Sequence, residues 1–124
     1  MFDDFEIIYR YTRRQAIEDG VLVDVTYTAK EAGFRYPVAL TNSVWSHYVK
    51  IPEGVQYQDE TGRLWDILHL LLYAIASSAD TDIILFQLQV RNDNTRPELV
   101  TLKAICHADD DASPCITVML PDED

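Results

Sequence analysis

The strongest periodic pattern in the chain is a broad apolar stripe that begins near Asp59. Its apolar residues recur three and four positions apart, the spacing of one helix face: Leu64, Trp65, Ile67, Leu68, Leu71, Leu72 and Ile75. Ser77 and Ser78 end the pattern, and the polar residues 80–82 follow. We therefore predict one long helix over about residues 59–78.

The last third of the chain alternates between apolar and polar residues with the period of a β-strand. Three segments show this alternation, at residues 84–90, 100–106 and 116–120. Turn-forming residues separate them at 92–97 and 109–114. Three strands with short connections predict an antiparallel meander, and the long helix is the natural cover for its apolar face.

The N-terminal part predicts shorter elements. Thr12 and Gln15 fit a capping box that opens a helix to about Asp19, with Gly20 as the left-handed residue after it. Residues 21–27 alternate like a short strand, with valines on one side.

Two more helices are predicted before the long one. Thr28 and Glu31 form a second capping-box pattern, which opens a short helix that Gly33 ends. Pro37 suits the first turn of another helix, in which apolar residues recur at helical spacing over residues 38–49.

These elements predict an α+β fold in which N-terminal helices pack on a C-terminal three-stranded antiparallel β-meander. The length fits a single globular domain over residues 1–124. Its helical part covers about 12–78, its meander about 83–120, and an acidic tail follows at 121–124.

The balance of acidic and basic residues says more about possible partners than the overall composition does. The chain carries 21 Asp and Glu against 10 Lys and Arg, a formal net charge of -11. This excess argues against phosphate and anionic membranes as partners, since both need clustered Lys and Arg. It favours solubility, a basic protein partner, or imitation of a nucleic acid. If the net charge were spread evenly over the surface of the protein, there would be one charge per ~600 Å², which is far more dilute than the charge on DNA. Only acids clustered on one face could therefore imitate DNA.

The acids that we predict to bind such a partner fall into clusters. They are Asp109, Asp110, Asp111, Asp122, Glu123 and Asp124, with Asp59, Glu60 and Asp66 on the long helix. The two C-terminal clusters bracket the last predicted strand, about 20 Å apart at the usual rise. Whether the helix acids join them into one face is left open.

Signals for a particular compartment are few. The apolar run at 70–76 is too short to span a bilayer, and the acidic N-terminus lacks the basic and apolar regions of a signal peptide. Two cysteines make no disulfide framework. We expect a cytoplasmic protein.

No catalytic signature emerges from the motifs. The four glycines are isolated, and His47, His69 and His107 lie far apart in sequence. Cys106, His107 and Cys115 are the one metal-like cluster, but structural zinc normally needs four ligands. We therefore expect a core cysteine and an ordinary strand-end cysteine, no metal, no cofactor and no enzyme activity.

Several strings resemble a family of small uncharacterised bacterial proteins found on plasmids, phages and other mobile elements. The residues that carry the resemblance lie at 17–25, 31–41, 62–66, 90–93 and 116–121, so it covers nearly the whole chain. The family is a domain of unknown function and supplies no catalytic residues. The resemblance implies a small accessory protein of mobile DNA.

Three functional hypotheses follow. The first is a DNA-mimic inhibitor, of the anti-restriction or anti-CRISPR kind, that occupies a basic surface on a host defence complex. The second is a structural or regulatory interaction module, such as a homodimer, with aromatic contacts: Tyr9, Tyr11, Tyr36 and Trp45. The third is an enzyme with a carboxylate site, which would need Glu18, Asp19, Asp24 and a histidine in one cleft.

Overall fold

Short helices and strands alternate in the N-terminal part of the chain, and a long helix and a β-meander follow. The computed structural model describes residues 12–78 and 81–123. Its helices are α1 (Arg13–Glu18), α2 (Thr26–Ala32), α3 (Asn42–Val44), which continues as a π-helical turn (Trp45–Val49), and α4 (Glu60–Ser77). Its strands are β1 (Leu22–Asp24), β2 (Val38–Thr41), β3 (Ile83–Val90), β4 (Glu98–Ala108) and β5 (Pro114–Met119).

The five strands form one mixed sheet in the order β1-β2-β5-β4-β3. Strands β3, β4 and β5 are antiparallel neighbours, as the alternating pattern predicts. Strand β2 runs parallel to β5, with Val38 opposite Ile116 and Leu40 opposite Val118. Strand β1 is antiparallel to β2 and forms the far edge.

The prediction of a three-stranded antiparallel meander under N-terminal helices is therefore wrong. In the described part of the chain, the sheet has five strands and one parallel pair, and two of its strands lie between helices in sequence. The helix predicted from Pro37 is a strand over Val38–Thr41 and becomes helical only at Asn42. Because β2 is a central strand, Val38, Ala39 and Leu40 are all buried. Such a continuous apolar run lacks the alternation that identifies a half-exposed strand.

The predicted boundaries of the first helix are confirmed. Thr12 and Gln15 form the capping box, and Gly20 adopts a left-handed φ of 78°.

The second helix is confirmed at its end but not at its start. Gly33 ends α2 with a φ of 118°. The capping box predicted at Thr28 and Glu31 is wrong, because α2 begins at Thr26, after Val25, without a side-chain cap. The strand β1 is shorter than predicted, because α2 begins at Thr26.

Helix α4 covers one face of the sheet, as predicted. Asp59 caps it by accepting a hydrogen bond from Gly62 N at 2.6 Å. Its buried residues pack with apolar residues of α2, the π-helical turn and the strands, and they include Leu64, Ile67, Leu68 and Leu71. Neither α4 nor any other described helix is long and apolar enough to cross a membrane.

Buried Arg63 ties the start of α4 to two loops without help from a carboxylate. Only 6% of its surface is exposed. Its guanidinium donates to Tyr48 O at 2.9 Å, Arg91 O at 2.9 Å and Asn92 Oδ1 at 2.7 Å, and more distantly to Gln58 Oε1 and His47 O. Desolvation, with a smaller effect of the Arg91 charge, lowers the pKa of Arg63. Arg63 therefore bridges the π-helical turn and the loop after β3, and Asn92 Nδ2 joins them directly by donating to His47 O at 2.9 Å.

We predict that Arg63→Ala lowers the free energy of unfolding by about 3 kcal/mol, because several buried oxygens lose their donor. Urea denaturation followed by circular dichroism measures the change. Arg14→Ala is the matched control: Arg14 is highly exposed and forms a surface ion pair with Glu18, so its loss should cost less than about 1 kcal/mol. Equal losses for the two variants would contradict the role given to Arg63.

Candidate partner-binding groove

The acids predicted from the sequence lie toward two ends of the sheet. Asp109, Asp110 and Asp111 form the turn that enters β5, and Asp122 and Glu123 follow its other end. Asp59, the N-cap of α4, and Glu60, its first residue, lie near the end of β3, as the contacts of Arg63 require. Asp66 is exposed on α4. Asp124 lies outside the described residues.

Some of these carboxylates have local structural roles. Glu123 turns inward, where its Oε2 accepts from Thr41 Oγ1 at 2.8 Å and from Leu120 N at 2.7 Å. Asp59 is the N-cap of α4. The carboxylates of Glu123 and Asp59 therefore already have hydrogen-bond partners within the protein.

A groove of about 530 Å³ brings five carboxylates together beside the turn before β5. We call it the acidic groove and define it by Glu18, Asp24, Asp109, Asp110 and Asp111. Glu18 ends α1 and Asp24 ends β1, so both are distant in sequence from the aspartate run. They join it because β2 holds β1 in the same sheet as β5. The sequence contains no signal for this meeting, since it depends on the parallel strand pair.

Hydrogen bonds fix the shape of the acidic groove. Asp110 accepts from Arg13 N at 2.9 Å and Arg14 N at 3.1 Å, so its carboxylate sits at the positive end of α1. Asp24 Oδ1 accepts from Thr26 N at 3.0 Å and from Thr26 Oγ1 at 2.6 Å. Two sequence-distant segments are thereby locked beside each other.

The aspartate turn itself is tightly bonded. Asp109 N donates to Ser113 O at 2.7 Å, and Ser113 N donates to Asp111 Oδ1 at 3.0 Å. Hydrogen bonds from Ser113, the backbone bond first, lower the pKa of Asp111. Asp111 therefore keeps its charge in mildly acidic solution.

The two arginines of the groove do not neutralise it. The Arg13 guanidinium turns to β5, where it donates to Thr117 Oγ1 at 2.6 Å and Ile116 O at 2.9 Å. Arg14 pairs with Glu18 at 3.4 Å, and both side chains are largely exposed. Five acids thus face two bases, one of which points into the protein.

Next to the groove lies a cysteine–histidine pair on the same face of the sheet as Arg13. Cys115 Sγ is 3.7 Å from His107 Nε2, and that nitrogen is 2.8 Å from Thr117 Oγ1. Burial is the main cause that raises the pKa of the Cys115 thiol. A buried, protonated thiol is a poor nucleophile, so the pair serves packing and hydrogen bonding better than covalent catalysis.

The other cysteine belongs to the opposite face. Cys106 is opposite Ile116 in the ladder, whereas His107 is opposite Cys115. Because neighbouring strand residues point to opposite faces, the two cysteines diverge, and both are free thiols. Within 12–78 and 81–123, no group of three or more His, Cys, Asp and Glu side chains could hold a metal ion.

Comparison with known proteins places the chain in a family. Its full length, residues 1–124, matches the model of a family of unknown function, DUF6573. The chain belongs to this family. No curated protein and no solved structure matched it. Membership of this family assigns no reaction and no ligand.

We predict that Asp110→Ala loosens α1, because two helix N–H groups lose their acceptor and the helix dipole loses a counter-charge. The expected loss of local stability is about 1 kcal/mol. Hydrogen exchange measures it: amides of Arg13–Glu18 should exchange faster while those of α4 stay unchanged. Asp66→Ala on exposed α4 is the control. Unchanged exchange in α1 would contradict the capping role.

We also predict that Cys115 reacts slowly with a thiol reagent in the folded protein. At pH 8 the raised pKa keeps it protonated and burial excludes the reagent. With DTNB, the Cys106→Ser variant should react at least ~10-fold more slowly than Cys115→Ser, which retains the half-buried thiol. Both should react alike in guanidinium chloride; equal rates in buffer would contradict the burial argument.

Proposed function

We propose that this protein is a small acidic binding protein, without enzymatic activity, that takes a basic segment of a protein partner in the acidic groove. One observation carries the proposal: five carboxylates from three separate segments line a single groove. Arg13, one of the two bases that line the groove, directs its guanidinium to Thr117 and Ile116 instead.

The chemistry of the groove suits Lys and Arg side chains. Carboxylates bind guanidinium and ammonium groups through charge-assisted hydrogen bonds, which are stronger than neutral ones. Glu18, Asp24 and Asp111 are exposed, whereas Asp110 is already held by α1. The net charge of -11 would steer a basic partner toward the protein and make association sensitive to salt.

For the class of partner, we propose a nucleic-acid-binding surface on a host defence complex, in the mobile-element setting that the sequence resemblance implies. The acids predicted from the sequence divide between two ends of the sheet. The acidic groove therefore supports competition for a few phosphate-binding residues rather than imitation of a long duplex. An invading plasmid should survive restriction or CRISPR interference better when the wild-type protein is present than when a groove variant is.

We predict that removing three groove charges weakens binding of a labelled Arg- and Lys-rich peptide. The variant is Glu18→Gln with Asp109→Asn and Asp111→Asn, in which the amides retain acceptors for the turn. Fluorescence anisotropy at low salt should show about 10-fold lower affinity, since each exposed ion pair contributes up to about 1 kcal/mol. Added salt should reduce wild-type binding more steeply than variant binding.

A matched control removes the same number of charges elsewhere. Glu60→Gln, Asp66→Asn and Asp122→Asn lie outside the acidic groove and are exposed. This control should lose less than about threefold in affinity. If both triple variants weaken binding equally, the total charge binds the peptide and the groove assignment is wrong.

A further inference from the structure

The two edge strands of the sheet, β1 and β3, differ in how well they are protected from pairing with another chain. The β1 edge is three residues long, and α2 follows it after one residue. Val21, just before it, is already bonded: its N–H donates to Ala16 O, and its carbonyl accepts from Asn42 N. A short and covered edge of this kind resists pairing with another chain.

The other edge, β3, lacks these protections. It is eight residues long, Ile83–Val90, and among the strands that the structure describes it pairs with β4 alone. Its sequence, IILFQLQV, contains no charged residue, no proline and no glycine. Proteins usually block edge strands with charges, prolines, bulges or shortness.

The free backbone groups of the β3 edge can be assigned from the ladder. Asp82 O accepts from Cys106 N at 2.9 Å, so Asp82 and Cys106 form a hydrogen-bonded pair. Pairing alternates along an antiparallel ladder, which directs the N–H and C=O groups of Leu85, Gln87 and Gln89 away from β4. No described residue bonds to these groups. Within residues 12–78 and 81–123 they therefore form a row of donors and acceptors without partners.

Apolar side chains extend along the same edge. Ile83 is 56% exposed and Leu85 is 62% exposed, both on the face of β3 that α4 does not cover. The opposite face of β3 carries Phe86 and Leu88 in the core. An exposed strand with free backbone groups and apolar side chains is suited to strand addition.

We propose that β3 pairs antiparallel with β3 of a second copy of this chain, so that the two sheets become one ten-stranded sheet across a two-fold axis. Charge favours this occupant and this direction. Asp82 precedes β3 and Arg91 follows it, so each end of an antiparallel pair carries one acid and one base, whereas parallel copies would place like charges together. The Arg91 guanidinium still donates to Asp93 O at 2.8 Å, so this is a preference of direction and not an ion pair between the copies. The pairing row between them is uncharged, which lets two chains of net charge -11 approach there.

A two-fold axis at Gln87 keeps the faces of the two sheets in register. Gln87 then lies opposite itself, and Leu85 lies opposite Gln89 of the second copy, as residues of one face must. The β3 edge is separated from β5 by β4, on the far side of the sheet from β1. The dimer therefore leaves the acidic groove open and does not depend on the proposed function.

Light scattering after size-exclusion chromatography tests this proposal with the full chain. The wild type should approach twice the 14.2 kDa chain mass as concentration rises. Gln87→Lys should raise the dimer dissociation constant by about 10-fold or more, because two lysines would meet at the centre of the pair. Gln87→Pro should do the same by removing an outward N–H that β4 does not use.

The matched control is Thr101→Lys, on the same face and directly opposite Gln87 but one strand inside the edge. It should still dimerise, and circular dichroism verifies that all variants are folded. A wild type that stays monomeric at every concentration would overturn the proposal, as would a Gln87→Lys variant that dimerises normally. Loss of the dimer in Thr101→Lys as well would indicate pairing through sheet faces and would also overturn it.

Discussion

The parallel pairing of β2 with β5 is the constraint on which the rest of the structure depends. It joins the N-terminal helices to the β-meander, because β1 reaches the sheet only through β2. A parallel pair needs a long crossover, and residues 42–113 supply it with α3, α4, β3 and β4. The crossover places α4 over one face of the sheet. The same pairing brings the end of β1 beside the turn before β5, which creates the acidic groove.

A second feature of the structure is that several basic side chains donate hydrogen bonds to neutral oxygens. Arg63 and Arg13 direct their guanidinium groups mainly to neutral oxygens. Arg91 likewise donates to carbonyls of the neighbouring loops, and Lys103 Nζ donates to Pro121 O and Glu123 O. Among the residues that the structure describes, Arg14 and Glu18 form the one direct ion pair. These four cations thus fasten loops, and among the described residues few carboxylates form a direct ion pair.

The sequence predicts the elements that carry a local signal. Helix α4 has a long apolar stripe and a capping aspartate, α1 has a capping box, and β3 to β5 alternate. Strand β2 escapes prediction because its burial on both faces removes alternation, and Pro37 before it imitates a helix start. The acidic groove could likewise be predicted only in part from local sequence patterns. Its aspartate run is visible in the sequence, whereas Glu18 and Asp24 join it only through a non-local strand pair.

Gly33 carries a consequence beyond ending α2. A Cβ built there would lie 3.4 Å from Leu72 Cδ2 on α4, with backbone φ at 118°. A methyl group at this position would therefore make an ordinary van der Waals contact with the flexible end of Leu72 and would not clash with α4. The obstacle to a larger residue is the backbone, because residues with a Cβ rarely adopt this left-handed conformation. Glycine is thus required by the direction in which the chain leaves α2, while the contact between the two helices leaves room for a small side chain.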